Sequence, residues 1–211
     1  MKKIIITIDG PAASGKGRIA KYIAKKYNLT HIDSGLLYRK IAKLLIDNKI
    51  NLKNINHIKK LLNKNNNFTL RNNRDLRNEH IGKVSSIIAK MNFVRKHVNK
   101  QQILYTKQKT EKTGFVIDGR DIGSVVFKNA DLKLYIEANE KNRAKRRHKQ
   151  LIDSGERSIY PEILKDIKLR DKKDIKRKNS PLIVPKGAFI IDNNGSFKDT
   201  VSQINKLIKN L

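Results

Sequence analysis

The sequence predicts an α/β fold in three layers, a mostly parallel sheet of about five strands with helices on both faces. Three observations carry this. Short β-branched runs recur between longer stretches with helical spacing. The first run leads directly into a glycine-rich loop that opens a helix. The residues able to carry chemistry fall just past the ends of the strands, where sheets of this kind bind their ligands. With 211 residues, 38% of them hydrophobic and spread along the length, the chain can bury a core as one α/β domain.

Residues 3–8 form a continuous β-branched run, which suits a strand buried on both faces. A glycine-rich loop follows over 9–15. Residues 16–27 read as a helix with Ile19, Ala20, Ile23 and Ala24 on one face. A short strand over 29–32 precedes a helix over 34–48 that buries Ile41, Leu44 and Leu45, and 55–62 reads as another short helix. Residues 63–78 are the least regular, with Asn65, Asn66, Asn67, Asn72 and Asn73 around the apolar patch 68–70. Helical spacing runs over 81–104. Strands are expected at 114–117 and 132–136, a strongly basic helix over 139–154, and a turn over 155–160. Pro161 suits the first turn of the next helix. A last strand at 188–191 and a closing helix over 197–211 complete the chain. There is no internal repeat and no long linker.

Composition excludes several classes. No cysteine is present, so disulfides and thiolate metal sites are ruled out, and a reducing cytoplasm is compatible. The N-terminal apolar run ends at Asp9 and Gly10, too short for a signal sequence, and nothing approaches the roughly 18 apolar residues of a membrane span. The reading is a soluble cytoplasmic protein with no membrane partner. The net charge is +29. Such a field attracts polyanions, but Lys, Asn and Ile are enriched together, as A/T-rich codons would make them. Lysines also lie in almost every segment instead of one basic tract interleaved with aromatics, so no specific nucleic-acid partner is expected. The five histidines show no metal-ligand spacing, and His31, on the second strand, is read as structural.

The sharpest motif is Gly10-Pro11-Ala12-Ala13-Ser14-Gly15-Lys16-Gly17, a G-x-x-x-x-G-K pattern directly after a strand and before a helix. Glycines let backbone N–H groups turn inward around a phosphate, and the helix N-terminus adds positive potential. Lys16 can then reach the β- and γ-phosphate oxygens of a nucleotide. The hydroxyl residue that usually follows the lysine and ligates Mg²⁺ is replaced by Gly17, and Arg18 supplies no hydroxyl either. The metal must be held by nucleotide, waters and other side chains. Asp9 and Asp118 are strand-end carboxylates, and Asp118 is the better outer-shell candidate; a turn or cap role suits either as well.

Two further segments follow strands. In Asp33-Ser34-Gly35-Leu36-Leu37-Tyr38-Arg39, Ser34 is placed to cap a helix and Arg39 lies about one turn into it. In Ile117-Asp118-Gly119-Arg120-Asp121-Ile122-Gly123, an Arg beside an Asp in a glycine-flanked loop suits phosphate gripping and recognition of a polar base edge. Later come Arg170, Asp174 and Arg177, spaced i, i+4 and i+7 so that one helix face carries all three, then Asn179-Ser180-Pro181-Leu182.

In this order the segments resemble the bacterial-type cytidylate kinases, P-loop nucleoside monophosphate kinases, over nearly the whole chain. The resemblance implies transfer of the γ-phosphate of ATP, with Mg²⁺, to CMP or dCMP. It implies that Gly10, Pro11, Ala12, Ala13, Ser14, Gly15, Lys16, Gly17 and Arg18 hold ATP. Arg39, Arg120 and Arg177 would grip the acceptor phosphate, and Ser86, Arg95 and Asp121 would read cytosine. Arg170 and Asp174, with Ser34, would contact the sugar. Arg143 and Arg147 would meet the transferring phosphoryl group from a lid over about 146–178. The core would comprise about 1–48 and 110–211 and the acceptor-binding insert about 49–109. A monomer is the family expectation. Alternatives are a kinase of the same fold acting on UMP, AMP or a small metabolite, and an RNA-binding protein on an inactive kinase scaffold.

Besides Gly17, the insert departs from the family pattern, and the roles implied for Ser86 and Arg95 constrain the helix that carries them, since both reach one base only if it breaks. Ser86 and Arg95 are nine residues apart, which at about 100° per residue places them on opposite faces of a straight helix; a break near Asn92 is therefore expected. The stretch from Arg39 to Arg77 is about a dozen residues shorter than the antiparallel insert of the family, so a reduced hairpin or a bare loop is expected there. Arg77 matches a family arginine but carries no assigned role.

Overall fold

The computed structural model describes residues 3–65, 68–70 and 74–209. Residues 66–67 and 71–73 of the irregular stretch, and 210–211 of the expected closing helix, lie outside that range. The chain divides into two compact units, one of Met1–His31 with Lys112–Leu211, the other of Ile32–Glu111.

The first unit carries the sheet, with strand order β2-β3-β1-β4-β5. Its strands are β1 (Ile4–Asp9), β2 (Leu29–Asp33, continuing into the second unit), β3 (Gly114–Asp118), β4 (Leu132–Glu137) and β5 (Phe189–Asp192). β1 pairs in parallel with β3, Ile6 opposite Val116, and with β4, Ile8 opposite Leu134; β4 pairs in parallel with β5. Strand alternation places Ile6, Ile8, Val116, Leu132, Leu134, Ile136 and Ile191 in one core. Ile19, Ala20 and Ile23 of α1 (Lys16–Lys26) and Ile204 and Ile208 of α8 (Phe197–Ile208) complete it. The intervening residues Thr7, Asp9, Phe115 and Ile117 are buried as well, so both faces of the sheet are covered. Truncating a fully buried isoleucine such as Ile23 to alanine is expected to cost about 2–5 kcal/mol.

Beyond β3 the chain enters one π-helical turn, Ile122–Val126, in which Val126 N donates to Asp121 O. α6 (Glu140–Asp153), capped by the Asn139 side chain, and α7 (Tyr160–Lys176), with proline in its first turn, then pack on each other. α7 ends at Lys176. Arg177 is its extended C-terminal cap residue, so the expected single helix face carrying Arg170, Asp174 and Arg177 stops one residue short.

The second unit is helical. α2 (Ser34–Asp47), α3 (Ile55–Lys64), a 3-10 turn (Arg74–Arg77), α4 (Glu79–Ile88) and α5 (Asn92–Lys107) surround Leu37, Ile41, Leu45, Ile58, Leu62, Val84, Ile88, Val94 and Val98. α2, assigned from sequence to the core, belongs to this unit. Among the described residues of 49–109 no strand occurs, and residues 66–67 and 71–73 of the stretch expected to hold a reduced hairpin or a bare loop lie outside the described residues. The break expected near Asn92 is present: α4 ends at Ile88, Met91 is extended with ψ 117°, and α5 begins at Asn92.

Candidate active site

In the first unit the loop between β1 and α1 has the backbone that a phosphate cradle needs. Gly15 caps α1 at φ +91°, and Ala13 is left-handed at φ +56°. Gly10 sits at φ +149°, where a Cβ would lie 2.5 Å from Ile136 O. α1 has no side-chain cap and no acidic residue in its first turn, so its N-terminal amides and dipole are left for an external anion. Lys16 is buried, and its Nζ donates to Pro11 O at 2.7 Å and Ser14 Oγ at 3.3 Å. Burial pulls its pKa well below the usual lysine value and nearby Arg120 adds to this, while Asp118 and Asp9 oppose. An anion at this position would favour the charged form.

Asp9, fully buried at the end of β1, accepts from the amides of Ile122 at 2.8 Å and Gly123 at 2.7 Å. Burial outweighs these bonds and raises its pKa to about 6. Both carboxylate oxygens thus serve the π-helical turn, which makes Asp9 a strand-end cap. Asp118 lies with Oδ1 2.6 Å from His31 Nε2. Arg18 is turned away from the loop, its guanidinium 3.8 Å from the centre of the Phe197 ring. A Cβ on Gly17 would meet nothing within 4 Å. Among the described residues no cluster of three or more His, Cys, Asp or Glu side chains could cage a metal.

Just past β3, Arg120, Asp121, Asp174 and Arg177 converge. Arg120 Nε donates to Asp174 Oδ2 at 3.1 Å, Arg177 Nη1 lies 3.5 Å from Asp174 Oδ1, and Arg177 Nη2 lies 3.9 Å from Asp121 Oδ1. Arg177 Nε also donates to Ser180 O. Burial pulls the Asp174 pKa up, but Arg120, Arg177 and Arg170 together hold it below the ordinary carboxylate value. Arg170 on α7 is exposed. Two arginines grouped around one carboxylate form an arrangement of the kind that can grip an anion.

Arg143 and Arg147, expected to act together, are placed differently. Arg143 is 4% exposed and its guanidinium is engaged on three sides, with Ala138 O at 2.8 Å, Ala12 O of the loop at 3.0 Å and Asp171 Oδ2 at 2.6 Å. Arg147 is half-buried and donates to Gln150 Oε1 on its own helix.

The second unit holds Ser34, Arg39, Ser86 and Arg95. Asp33, not Ser34, caps α2: its side chain accepts from Leu36 N at 3.0 Å, and Ser34 is the buried first residue of the helix. Arg39 donates to Leu76 O at 2.8 Å and Asn78 O at 3.3 Å, fixing it to the 3-10 turn. Ser86 is half-buried on α4. Arg95, buried on α5, donates to Ala89 O at 3.0 Å and stands over the Tyr38 ring at 5.9 Å. The helix break lets α5 present Arg95 back to the end of α4.

Sequence reasoning missed Asn193 and Thr200, which brace the loop from behind, and Asp171, the partner of Arg143. Only the place of Asn193 just past a strand end could have singled it out.

A family model described as cytidylate kinase matches residues 6–210. A cytidylate kinase of Rickettsia conorii is 42% identical over 206 residues, covering 97% of this chain and 91% of that protein. One from Rickettsia akari is 40% identical over 210 residues, covering 99% and 93%. Among solved structures, a Thermus thermophilus protein aligns with a TM-score of 0.54 at 16% identity, covering 100% of this chain and 99% of that one. An uncharacterized protein from Eubacterium ventriosum aligns with a TM-score of 0.51 at 17% identity, covering 99% of each chain. At these identities the two structures speak for the fold alone.

Proposed function

The chain belongs to the cytidylate kinase family and is accordingly a phosphotransferase acting as a CMP or dCMP kinase; from that premise we propose how its residues divide the work. Residues 10–17 and the uncapped N-terminus of α1 hold the phosphates of ATP, with Lys16 swinging from Pro11 O onto the β- and γ-phosphate oxygens. The buried Lys16 at the mouth of an uncapped helix is the observation that carries this reading. Arg120 and Arg177, held by Asp174, grip the acceptor phosphate together with Arg39. Asp121, Ser86 and Arg95 read the cytosine edge, and Ser34, Arg170 and Asp174 serve the sugar. Arg147 meets the transferring phosphoryl group, while Arg143 serves the loop.

Phosphoryl transfer asks for in-line positioning and charge neutralisation more than for covalent chemistry. The acceptor phosphate oxygen is ionised near neutral pH and needs no strong base. Closure of residues 146–178 excludes water, so that ATP is not hydrolysed instead. Mg²⁺ carried on the nucleotide would supply neutralisation of the donor phosphates, and with Gly17 in place of the hydroxyl residue this chain would offer it no side-chain ligand there. Asp118 is the outer-shell candidate, because both oxygens of Asp9 are engaged by backbone amides. The protein is proposed to work as a cytoplasmic monomer.

The test is ADP release from ATP–Mg²⁺ with CMP, dCMP, UMP or AMP as acceptor. Turnover with CMP and dCMP, lost in Lys16→Ala and reduced in Asp121→Ala, is expected. Preference for UMP or AMP would overturn the roles of Asp121, Ser86 and Arg95, and no turnover with any acceptor would overturn the kinase reading.

A further inference from the structure

A loop that turns its amides toward a phosphate must turn the carbonyls of the same peptide units away from it. Those carbonyls then need partners of their own. Three side chains supply them here. Pro11 O accepts from Lys16 Nζ, Ala12 O from Arg143 Nη1 at 3.0 Å, and Ser14 O from Asn193 Nδ2 at 2.7 Å. The Ser14 peptide matters most, because its amide half belongs to Gly15, the residue that opens α1.

Asn193 is itself fixed from three directions. Its backbone N donates to Glu137 O at 2.8 Å, which anchors it beside β4. Its side-chain oxygen accepts from Thr200 Oγ1 at 2.8 Å, which decides the orientation of the amide and leaves Nδ2 for Ser14 O. The Gly15 Cα faces the Asn193 side chain so closely that a Cβ there would overlap the Asn193 amide nitrogen. Asn193 is 5% exposed, and Thr200 and Ser14 are fully buried, so these bonds are shielded from bulk solvent.

We propose that Asn193, aligned by Thr200, is a positioning residue of the phosphate loop: by holding the Ser14 carbonyl outward it keeps the Gly15 amide directed at the donor phosphates. The proposal rests on the reading that this loop binds the donor. Neither residue touches substrate. Their effect passes through the loop and so falls on ATP, the substrate whose phosphates the loop is proposed to hold.

Three variants test it: Asn193→Asp, which removes the donor to Ser14 O, Thr200→Val, which removes the hydroxyl without changing charge, and Thr200→Ser, which keeps it. ATP affinity is measured by calorimetry without acceptor, KM for ATP and for CMP by ADP release, and thermal stability alongside. Loss of one buried hydrogen bond corresponds to about a tenfold change. Asn193→Asp and Thr200→Val are expected to weaken ATP binding and raise its KM by about that factor, with KM for CMP within about twofold, and Thr200→Ser to behave as the unaltered chain. Asn193→Asp also brings a negative charge near the loop, so Thr200→Val must move the same quantity, and it carries the test alone if Asn193→Asp does not fold. Thr200→Val melting lower with ATP affinity unchanged, or KM for both substrates rising equally, overturns the proposal and leaves the kinase reading standing. An unaltered chain that binds no ATP overturns the kinase reading itself.

Discussion

Arg143 Nη2 lies 2.6 Å from Asp171 Oδ2, joining α6 to α7, and the same guanidinium reaches the phosphate loop at Ala12 O. With Arg143 4% exposed, Asp171 is the counter-charge of a nearly buried cation. Breaking such a pair by removing one partner costs about 3–5 kcal/mol, because a charge is left behind in a poorly solvated place. The Asp171 side chain is 16% exposed, which lets water relieve part of this. Asp171→Ala is therefore expected to lose about 3 kcal/mol in urea unfolding. A loss below about 1 kcal/mol would show that Arg143 is held by its carbonyl partners alone.

Lys16→Ala should separate activity from stability. Losing a preorganised cation at the transferring phosphates is expected to lower kcat by about 10²–10³-fold or more. Burial already works against the charge on Lys16, and Arg120 adds to that. Its removal should therefore leave the melting temperature unchanged or raise it. Turnover above about a tenth of the original, read by ADP release, would take Lys16 out of the chemistry.

Asp9 gives a pH dependence of defined sign. Its pKa rises from 3.8 unfolded to about 6 folded, with burial as the main cause. Between those values the folded state holds more protons than the unfolded one, so stability falls as pH rises from about 4 to 6 and then levels off. The shift corresponds to about 3 kcal/mol at most. In Asp9→Asn this contribution is absent. The difference in stability between the original chain and Asp9→Asn should therefore shrink steadily over that window, as measured by denaturant unfolding at fixed pH steps. Parallel curves would mean that the two amide bonds from Ile122 and Gly123 fully offset burial, and a difference that grows with pH would mean that they outweigh it.

The parts of the site that are written locally were legible in the sequence. The G-x-x-x-x-G-K spacing placed Lys16 at the start of α1, and helical geometry, taken with the shared base-reading role that the resemblance implies for Ser86 and Arg95, called for a break between them, which the structure has at residues 89–91. Tertiary partners were not legible. Spacing put Arg143 and Arg147 on one face of a helix, but only packing shows that Arg143 is spent on Ala12, Ala138 and Asp171. The Asn193–Thr200 brace joins the end of β5 to α8 and meets a loop some 180 residues away, so no local pattern announces it. The α2 cap fell to Asp33 instead of Ser34 because both residue types cap helices well and the difference is one residue of register.

Asp174 lies between the two arginines proposed to grip the acceptor phosphate, and its charge is what Arg120 and Arg177 share. Arg120 Nε sits 3.1 Å from Oδ2 and Arg177 Nη1 3.5 Å from Oδ1, so one carboxylate holds two guanidinium groups that would otherwise repel each other. Asp174→Asn keeps the shape and one acceptor but removes the charge. The arginines should then spread, and an acceptor phosphate would have to draw them together at the cost of its own binding energy. KM for CMP is expected to rise by about tenfold, with KM for ATP within about twofold, because the phosphate loop is braced by Arg143 and Asn193 and not by Asp174. A rise in KM for ATP as large as that for CMP would place Asp174 with the donor. Unchanged kinetics would mean that Asp121 and the Ser180 carbonyl suffice to hold Arg177, and that Arg120 needs no partner to grip the phosphate.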